Sequence, residues 1–341
     1  MSGSMQAAVF MGEGRLELQE RPIPSVQKWD DVLLRVKAAS VCGSDINILK
    51  VPPDHPATVG VILGHEYVGE VLDVGGDVGH VQPGDQVIAS PDLRCGQCYY
   101  CRMGLTTLCE NRTTLGIFLD GGFAPYTLAP ARALFKVDKR VPSEVAAIGE
   151  PLACALSGLT KANVQPGDAV VILGAGPQGL LFALLARMSG AGKIIISEPT
   201  EGRRKHAQSL GFDYVVNPQT QNLKTLVMDL TPRGADIVLD AVGSLFGQAL
   251  ELARRGGKII LLGVNTRSET TLHQYAVTVH QLTVIGSFIF TNELFPTMIR
   301  ILESGLLPLD RLITHRLPLA QIGEGIELLR RGEATKVIIV P

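Results

Sequence analysis

The uncharged stretch from Ala169 to Ala186 limits the folds open to this chain more than any other segment. It has the length of a membrane span, yet Gly174-Ala-Gly-Pro-Gln-Gly179 stands at its centre. Glycine and proline at that density interrupt a continuous helix. The stretch therefore reads as a buried strand (Ala169–Leu173), a tight turn, and a buried helix starting near Gln178. Elements apolar on every side need cover on both faces, and the neighbouring sequence supplies it. Lys193–Ser197, Asp213–Val216, Asp236–Asp240, Lys258–Gly263 and Thr283–Gly286 are further short apolar runs, separated by helical patterns such as Arg203–Leu210 and Leu245–Arg254. That alternation predicts an α/β unit over residues 150–286, a doubly wound parallel sheet with helices on both faces.

The turn itself carries a chemical signature. Strand, Gly174-x-Gly176-x2-Gly179 and helix follow in the order that a Rossmann dinucleotide site requires. Gly174 makes the tight turn, Gly176 lets the backbone approach a pyrophosphate, and Gly179 permits close helix–sheet packing. Pro177 and Gln178 open the helix, whose free N–H groups face the phosphates. Glu198 ends the next strand nineteen positions after Gly179. A carboxylate there holds ribose hydroxyls and repels a 2′-phosphate, so NAD is expected over NADP. Arg203 is the counter-signal: it offers a cation for that phosphate, or a cover for the adenine.

At 341 residues the chain is longer than one core usually supports, so two domains are expected. Residues 1–149 hold short β-rich runs punctuated by Gly and Pro, among them Asp31–Ala38, Tyr67–Val74 and Asp85–Ala89. Residues 287–341 carry helical patterns at Glu293–Ser304 and Gln321–Arg330 and a final strand at Lys336–Val340, and are expected to return to the first domain. With 31 basic against 33 acidic residues, nothing points to nucleic acid or an anionic membrane. Met1–Ser4 read as an addition ahead of a start at Met5, and no signal-peptide pattern follows, so the cytoplasm is the expected location.

Four of the six cysteines lie within fifteen residues, as Cys95-x2-Cys98-x2-Cys101-x7-Cys109. In a reducing compartment that spacing favours one closed tetrahedral zinc over disulfides. A filled coordination sphere leaves no position for chemistry, so this zinc is structural. A second set consists of Cys42, His65 and Glu66. Thiolate, imidazole and carboxylate together leave zinc one open position, as a catalytic site needs. Asp45 is placed to orient the imidazole of His65.

These motifs, Cys-Gly-Ser-Asp at 42–45, Gly-His-Glu at 64–66, the cysteine lobe, Glu-Pro-Leu at 150–152 and the glycine turn, give a resemblance that covers the chain from Met5 onward. It resembles the zinc-containing medium-chain dehydrogenases, and most of all the polyol branch that includes sorbitol, galactitol-phosphate and threonine dehydrogenases. The resemblance implies a Rossmann unit inserted into a β-rich, GroES-like catalytic domain. It further implies Cys42, His65 and Glu66 as ligands of the catalytic zinc, with Glu150 contacting that zinc directly or through its water. Ser44 would touch the reacting oxygen, and the backbone near Val264 would position the nicotinamide. The implied reaction moves hydride between a small alcohol or its ketone and NAD, in a homodimer or homotetramer. One position departs from the pattern: Asn47 stands where many relatives have a histidine that passes the proton to solvent. Two other readings compete, a zinc-independent enoyl or quinone reductase of the same fold and a non-catalytic binding protein. The sequence does not name the alcohol or say whether it is phosphorylated.

Overall fold

The computed structural model describes residues 3–341. Met1 and Ser2, the first half of the expected addition, lie outside the described residues, whereas Ser4 already pairs in the first strand. The chain divides into two compact units. One comprises Met1–Glu150, Thr291–Gly305 and Leu309–Pro341; the other comprises Pro151–Phe290 and Leu306–Pro308.

The first unit begins with an antiparallel hairpin, β1 (Ser4–Gly12) and β2 (Arg15–Pro22). β3 (Asp31–Ser40), β4 (Glu66–Val74) and β5 (Gln86–Ala89) then pair antiparallel in sequence. Two short strands, β6 (Asp92–Leu93) and β7 (Thr113–Thr114), close the base of the cysteine lobe. β8 (Tyr126–Pro130) pairs with β3, and β9 (Leu134–Lys136) with β5. β3 alternates only in its middle, where Arg35 and Lys37 are exposed between buried Leu34, Val36 and Ala38. Its two ends are buried on both faces, which suits a strand with neighbours on each side.

In the second unit, β10 (Ala169–Leu173), β11 (Lys193–Ser197), β12 (Tyr214–Val216), β13 (Ala235–Asp240), β14 (Ala253–Leu261) and β15 (Thr283–Gly286) form one parallel sheet. The order is β12-β11-β10-β13-β14-β15, so the winding reverses between β10 and β13. That reversal is the switch point at which doubly wound sheets bind ligands. The helix Pro177–Met188 buries every residue from Gly179 to Ala186, which accounts for the uncharged run in the sequence. β14 starts five residues earlier than its apolar pattern suggests. Ala253 already pairs with Ala235, and the register then shifts before Lys258 meets Ile237. The preceding helix therefore stops at Leu252 instead of continuing to Arg254.

The chain then returns to the first unit. A helix runs over Phe295–Ser304, starting two residues later than the apolar pattern because Pro296 sits in its first turn. β16 (Ile313–Pro318) and β17 (Lys336–Val340) follow, parallel to each other and flanking the helix Ile322–Arg330. Ile322, Ile326 and Leu329, spaced for one helical face, join Val337 and Ile339 in the same core as Val32, Leu34 and Val71. β17 lies antiparallel on β3, with Ile338 opposite Ser40. That pairing brings the last strand of the chain beside Ser40, which faces Glu66 on β4. No helix among the described residues is long and apolar enough to cross a membrane.

Candidate functional site

In the first unit, Cys42, His65 and Glu66 converge, with one ligand atom of each within 4.8 Å of the others. Local structure explains the placement. Cys42 caps the short helix Gly43–Ile48, and the Asp45 carboxylate accepts a 2.8 Å bond from the Cys42 backbone N–H. Gly64, at φ 94°, makes the turn that delivers His65 and then Glu66, the first residue of β4. A side chain at that position would meet the ring of Phe123 at 2.7 Å. The imidazole lies between two partners: Nε2 is 3.2 Å from Ser44 Oγ, and Nδ1 is 3.6 Å from Asp45 Oδ1. The second separation is longer than a hydrogen bond, and both atoms are buried without one.

The electrostatics of this cluster fit a cation. Burial disfavours a charged imidazole, but the Cys42 thiol and the Asp45 carboxylate outweigh it and hold the His65 pKa well above its ordinary value. Burial and then Glu66 push the Cys42 thiol up, and burial lifts Asp45 to about 6. Protons thus compensate a group of buried acidic side chains, a task that a divalent ion performs by deprotonating its thiol ligand outright. The donor set of one thiol, one imidazole and one carboxylate suits zinc with bonds of about 2.0–2.3 Å.

Sequence reasoning missed two members of this cluster. Ser40 Oγ and Lys336 Nζ both donate to Glu66 Oε2, and Lys336 also reaches the Val41 carbonyl at 3.4 Å. Lys336 is 2% exposed. Burial opposes its charge, but Glu66 and Cys42 more than offset that and raise its pKa. Strand register makes the group: Ser40 on β3 faces Glu66 on β4 and Ile338 on β17. The available signal was a lone lysine opening an otherwise apolar final strand. Glu150, in the first turn of the helix Gly149–Ala162, is buried and helps to hold His65 protonated. It stands outside the tight trio of ligand atoms. Asn47 is half-buried, and its carbonyl accepts the N–H of Asp54 at 3.0 Å.

The four cysteines of the lobe also converge, each Sγ within 4.8 Å of the others. Cys109 Sγ is 3.6 Å from Cys95 Sγ, close to the edge of about 3.8 Å that a tetrahedron of 2.3 Å zinc–sulfur bonds requires. Backbone N–H groups of Gln97 and Cys98 hold the Cys95 thiol down to about 6. Cys101 goes the other way, to about 12, from desolvation first and then from the neighbouring thiols. Four thiolates at this spacing need a cation among them.

In the second unit, β10 runs into Gly174 at φ 103°, and the helix starts at Pro177 behind Gly176. A side chain on Gly179 would meet the Gly174 carbonyl at 2.0 Å, whereas one on Gly176 would meet nothing within 4 Å. The last glycine is thus needed by the fold, and the middle one faces open space. Glu198 follows β11 and is 3% exposed. Its Oε2 accepts the Ala175 N–H at 2.9 Å and its Oε1 the Thr200 N–H at 2.8 Å, so the carboxylate is tied to the turn itself. Arg204, not Arg203, bonds the Glu198 carbonyl, while Arg203 Nε is buried without a partner. Gln178 Nε2 donates to the Pro151 carbonyl at 3.2 Å, and Val264, beyond β14, is largely exposed.

Comparison with known proteins agrees with this chemistry. Residues 28–139 match the alcohol dehydrogenase GroES-like domain family, and residues 177–304 match the zinc-binding dehydrogenase family. The chain is 35% identical to the L-threonine 3-dehydrogenase of Pyrococcus horikoshii over 91% of each chain. It is 32% identical to the sorbitol dehydrogenase of Halalkalibacterium halodurans over 97% of each. A zinc-binding dehydrogenase of Sinorhizobium meliloti 1021, solved bound to NADP, superposes with a TM-score of 0.94 at 31% identity, covering 99% of this chain and 100% of that one. Zinc and a nicotinamide dinucleotide are the cofactors supported by the matched zinc-binding dehydrogenase family and by the NADP-bound structure. The chain is an oxidoreductase and belongs to the zinc-containing, medium-chain alcohol dehydrogenase family.

Proposed function

We propose that this chain is a zinc-dependent dehydrogenase that moves hydride between a secondary alcohol and NAD, used in preference to NADP. The alcohol is a polyol, a sugar alcohol or a related hydroxy compound. The observation that carries this reading is the line Ser44–His65–Asp45 beside Cys42 and Glu66. Bound zinc supplies Lewis-acid polarisation of the substrate hydroxyl, the effect that lowers the pKa of water from about 15.7 to about 7. Ser44 Oγ takes the hydroxyl proton by hydrogen bond and gives up its own to solvent water, because a serine holds a second proton only in transit. The Asp45 carboxylate faces Nδ1 at 3.6 Å and acts on the imidazole through its charge, while Nε2 faces Ser44. Hydride leaves the alcohol carbon, and a ketone remains.

The substrate class rests on two relatives. L-Threonine and sorbitol, which their names give as substrates, each carry a secondary hydroxyl beside another polar substituent. The cofactor preference rests on Glu198, a buried anion at the place where NADP would bring a phosphate. Residues 1–149 with 287–341 serve in this reading as the catalytic domain and 150–286 as the cofactor domain, in a cytoplasmic homodimer or homotetramer. Glu150 contacts the zinc directly or through water. A zinc-independent reductase would leave Cys42, His65 and Glu66 without a task.

The test is NADH formation by zinc-loaded enzyme on a panel of polyols, sugar alcohols and hydroxy amino acids. Chelation should abolish turnover and added zinc restore it, with kcat/KM higher for NAD than for NADP. Full activity after complete zinc removal, or an NADP preference, refutes the assignment.

A further inference from the structure

A proton that reaches Ser44 has no resting place inside the metal-ligand cluster. Among the described residues the Ser44 hydroxyl meets only His65 Nε2, at 3.2 Å. His65, used as a metal ligand with Nδ1 facing the Asp45 carboxylate, keeps no lone pair for that proton. Asn47 lies one turn further along the same face of the helix Gly43–Ile48, but its amide does not titrate. A base that takes up the proton must come from another element.

The loop after this helix carries one. It turns back onto the helix, where the Asp54 N–H bonds the Asn47 carbonyl at 3.0 Å and the Asp54 carboxylate holds Lys50 at 2.7 Å. His55, half-buried, is the next residue. Pro52, Pro53 and Pro56 surround it in the sequence, and their fixed φ angles remove much of a loop's usual freedom. The ring is held as well, with Nδ1 2.8 Å from the Pro56 carbonyl oxygen. A carbonyl only accepts, so Nδ1 carries the hydrogen and Nε2 the lone pair. Nε2 has no hydrogen-bond partner among the described residues and is open to solvent.

His55 also lies close enough to the cluster for the charge of His65 to act on it, with those of Arg112 and Asp92. Burial first, then the His65 and Arg112 charges, outweigh the Pro56 carbonyl and Asp92 and hold its pKa below the ordinary histidine value. The ring is therefore neutral across neutral pH. Lys50 and Asp54, the charged neighbours on its own loop, pair with each other.

We infer that His55 Nε2 is the proton acceptor that serves Ser44, taking up through one water the proton that the serine gives up and releasing it to bulk solvent. The alcohol O–H bond breaks as Ser44 Oγ gains that proton, and the serine's own proton crosses the water to Nε2. The imidazolium then loses a proton to solvent and returns to the neutral ring, while hydride travels separately to the nicotinamide. The assignment rests on the dehydrogenase reading above and adds to it the exit of the proton.

Two measurements test it. Nitrogen NMR of the His55 ring, assigned by its loss in His55→Gln, should show the Nδ1–H form at neutral pH and a titration below the ordinary histidine range. A ring charged at neutral pH has no lone pair to offer and overturns the assignment. Single-turnover NADH formation by zinc-loaded wild type and His55→Gln is then followed from mildly acid to alkaline pH. The variant should be about three- to tenfold slower near neutrality, a small part of what direct acid–base catalysis supplies. The deficit should close in alkali, where hydroxide takes the proton. A tertiary-amine buffer, too bulky to ligate zinc, should restore the variant in proportion to its concentration and leave wild type unchanged. Superimposable profiles overturn the assignment, as does a loss that neither pH nor buffer repairs, which marks a structural role. Wild type that forms no NADH from any alcohol overturns the dehydrogenase reading along with it.

Discussion

Removing the amine of Lys336 should cost the first unit more stability than almost any other single substitution. The Lys336 and Glu66 side chains are 3% and 1% exposed, so no water can take over from a lost partner. Lys336→Met keeps the stem and deletes the charge, leaving a buried carboxylate bonded only to Ser40. Breaking a buried pair from one side costs about 3–5 kcal/mol. For a unit of about 150–250 residues, each kcal/mol lowers Tm by about 2–4 °C, giving a fall of about 6–20 °C in metal-free enzyme. Zinc-loaded enzyme should lose less, because the cation faces the same carboxylate. The double variant Lys336→Met/Glu66→Gln should recover much of the loss in the metal-free protein, since neutral replacement of a buried pair is often nearly free. The pH dependence has a definite sign. Burial alone would raise the Glu66 pKa, but Lys336 lowers it, so this contribution is present above the carboxylate range and fades only in acid. The Lys336 pKa is raised, so from that side the contribution fades only in strong alkali. The difference between wild type and variant should be flat across neutral pH. Melting curves of the three proteins, with and without zinc, decide the matter. A double variant no more stable than the single one would show that the ion pair is not what Lys336 contributes.

Three further outcomes are expected. Gly176→Ala should melt like wild type yet raise the KM for NAD at least tenfold, whereas Gly179→Ala, which sets a Cβ 2.0 Å from the Gly174 carbonyl, should impair folding; reversal of that contrast refutes the division of labour among the glycines. Glu198→Ala should lower kcat/KM for NAD about ten- to a hundredfold, from lost charge-assisted bonds worth about 1.5–3 kcal/mol, and narrow the gap to NADP; an unchanged ratio between cofactors would leave Glu198 as a purely structural staple. Elemental analysis should find two zinc ions per chain, and Cys98→Ser should give one zinc and a lower Tm with the KM of surviving enzyme little changed; an unaltered melt with lost turnover would place that cysteine in the chemistry instead.

The parts of the site legible in the sequence are those built within one turn or loop. The glycine turn needs six consecutive residues, and the cysteine lobe needs fifteen. In both, the chemistry fixes the spacing, because a tetrahedral ion or a pyrophosphate sets the distance between its donors. The doubly wound sheet was legible for a related reason: parallel strands buried on both faces give unbroken apolar runs. Where a strand departs from that pattern, as β14 does at Arg254–Gly257, the register shift hides its start.

What stayed hidden depends on register between distant strands. Ser40 and Lys336 are brought onto Glu66 only because β17 docks beside β3 with Ile338 opposite Ser40. Nothing local to Lys336 states which strand it will border, and a slip of one residue would turn it to the other face. The consequence is chemical as well as structural. The sequence reads Glu66 only as the carboxylate of a zinc-ligand set, but in the fold its Oε2 is held by a serine and a lysine. A carboxylate anchored in that way is a weaker partner for a cation than a free one, because the ion must compete with Lys336 for the same group. Removing that competitor, as in Lys336→Met, should therefore strengthen zinc binding at Cys42, His65 and Glu66, and a zinc dissociation constant that does not fall in the variant would refute the competition.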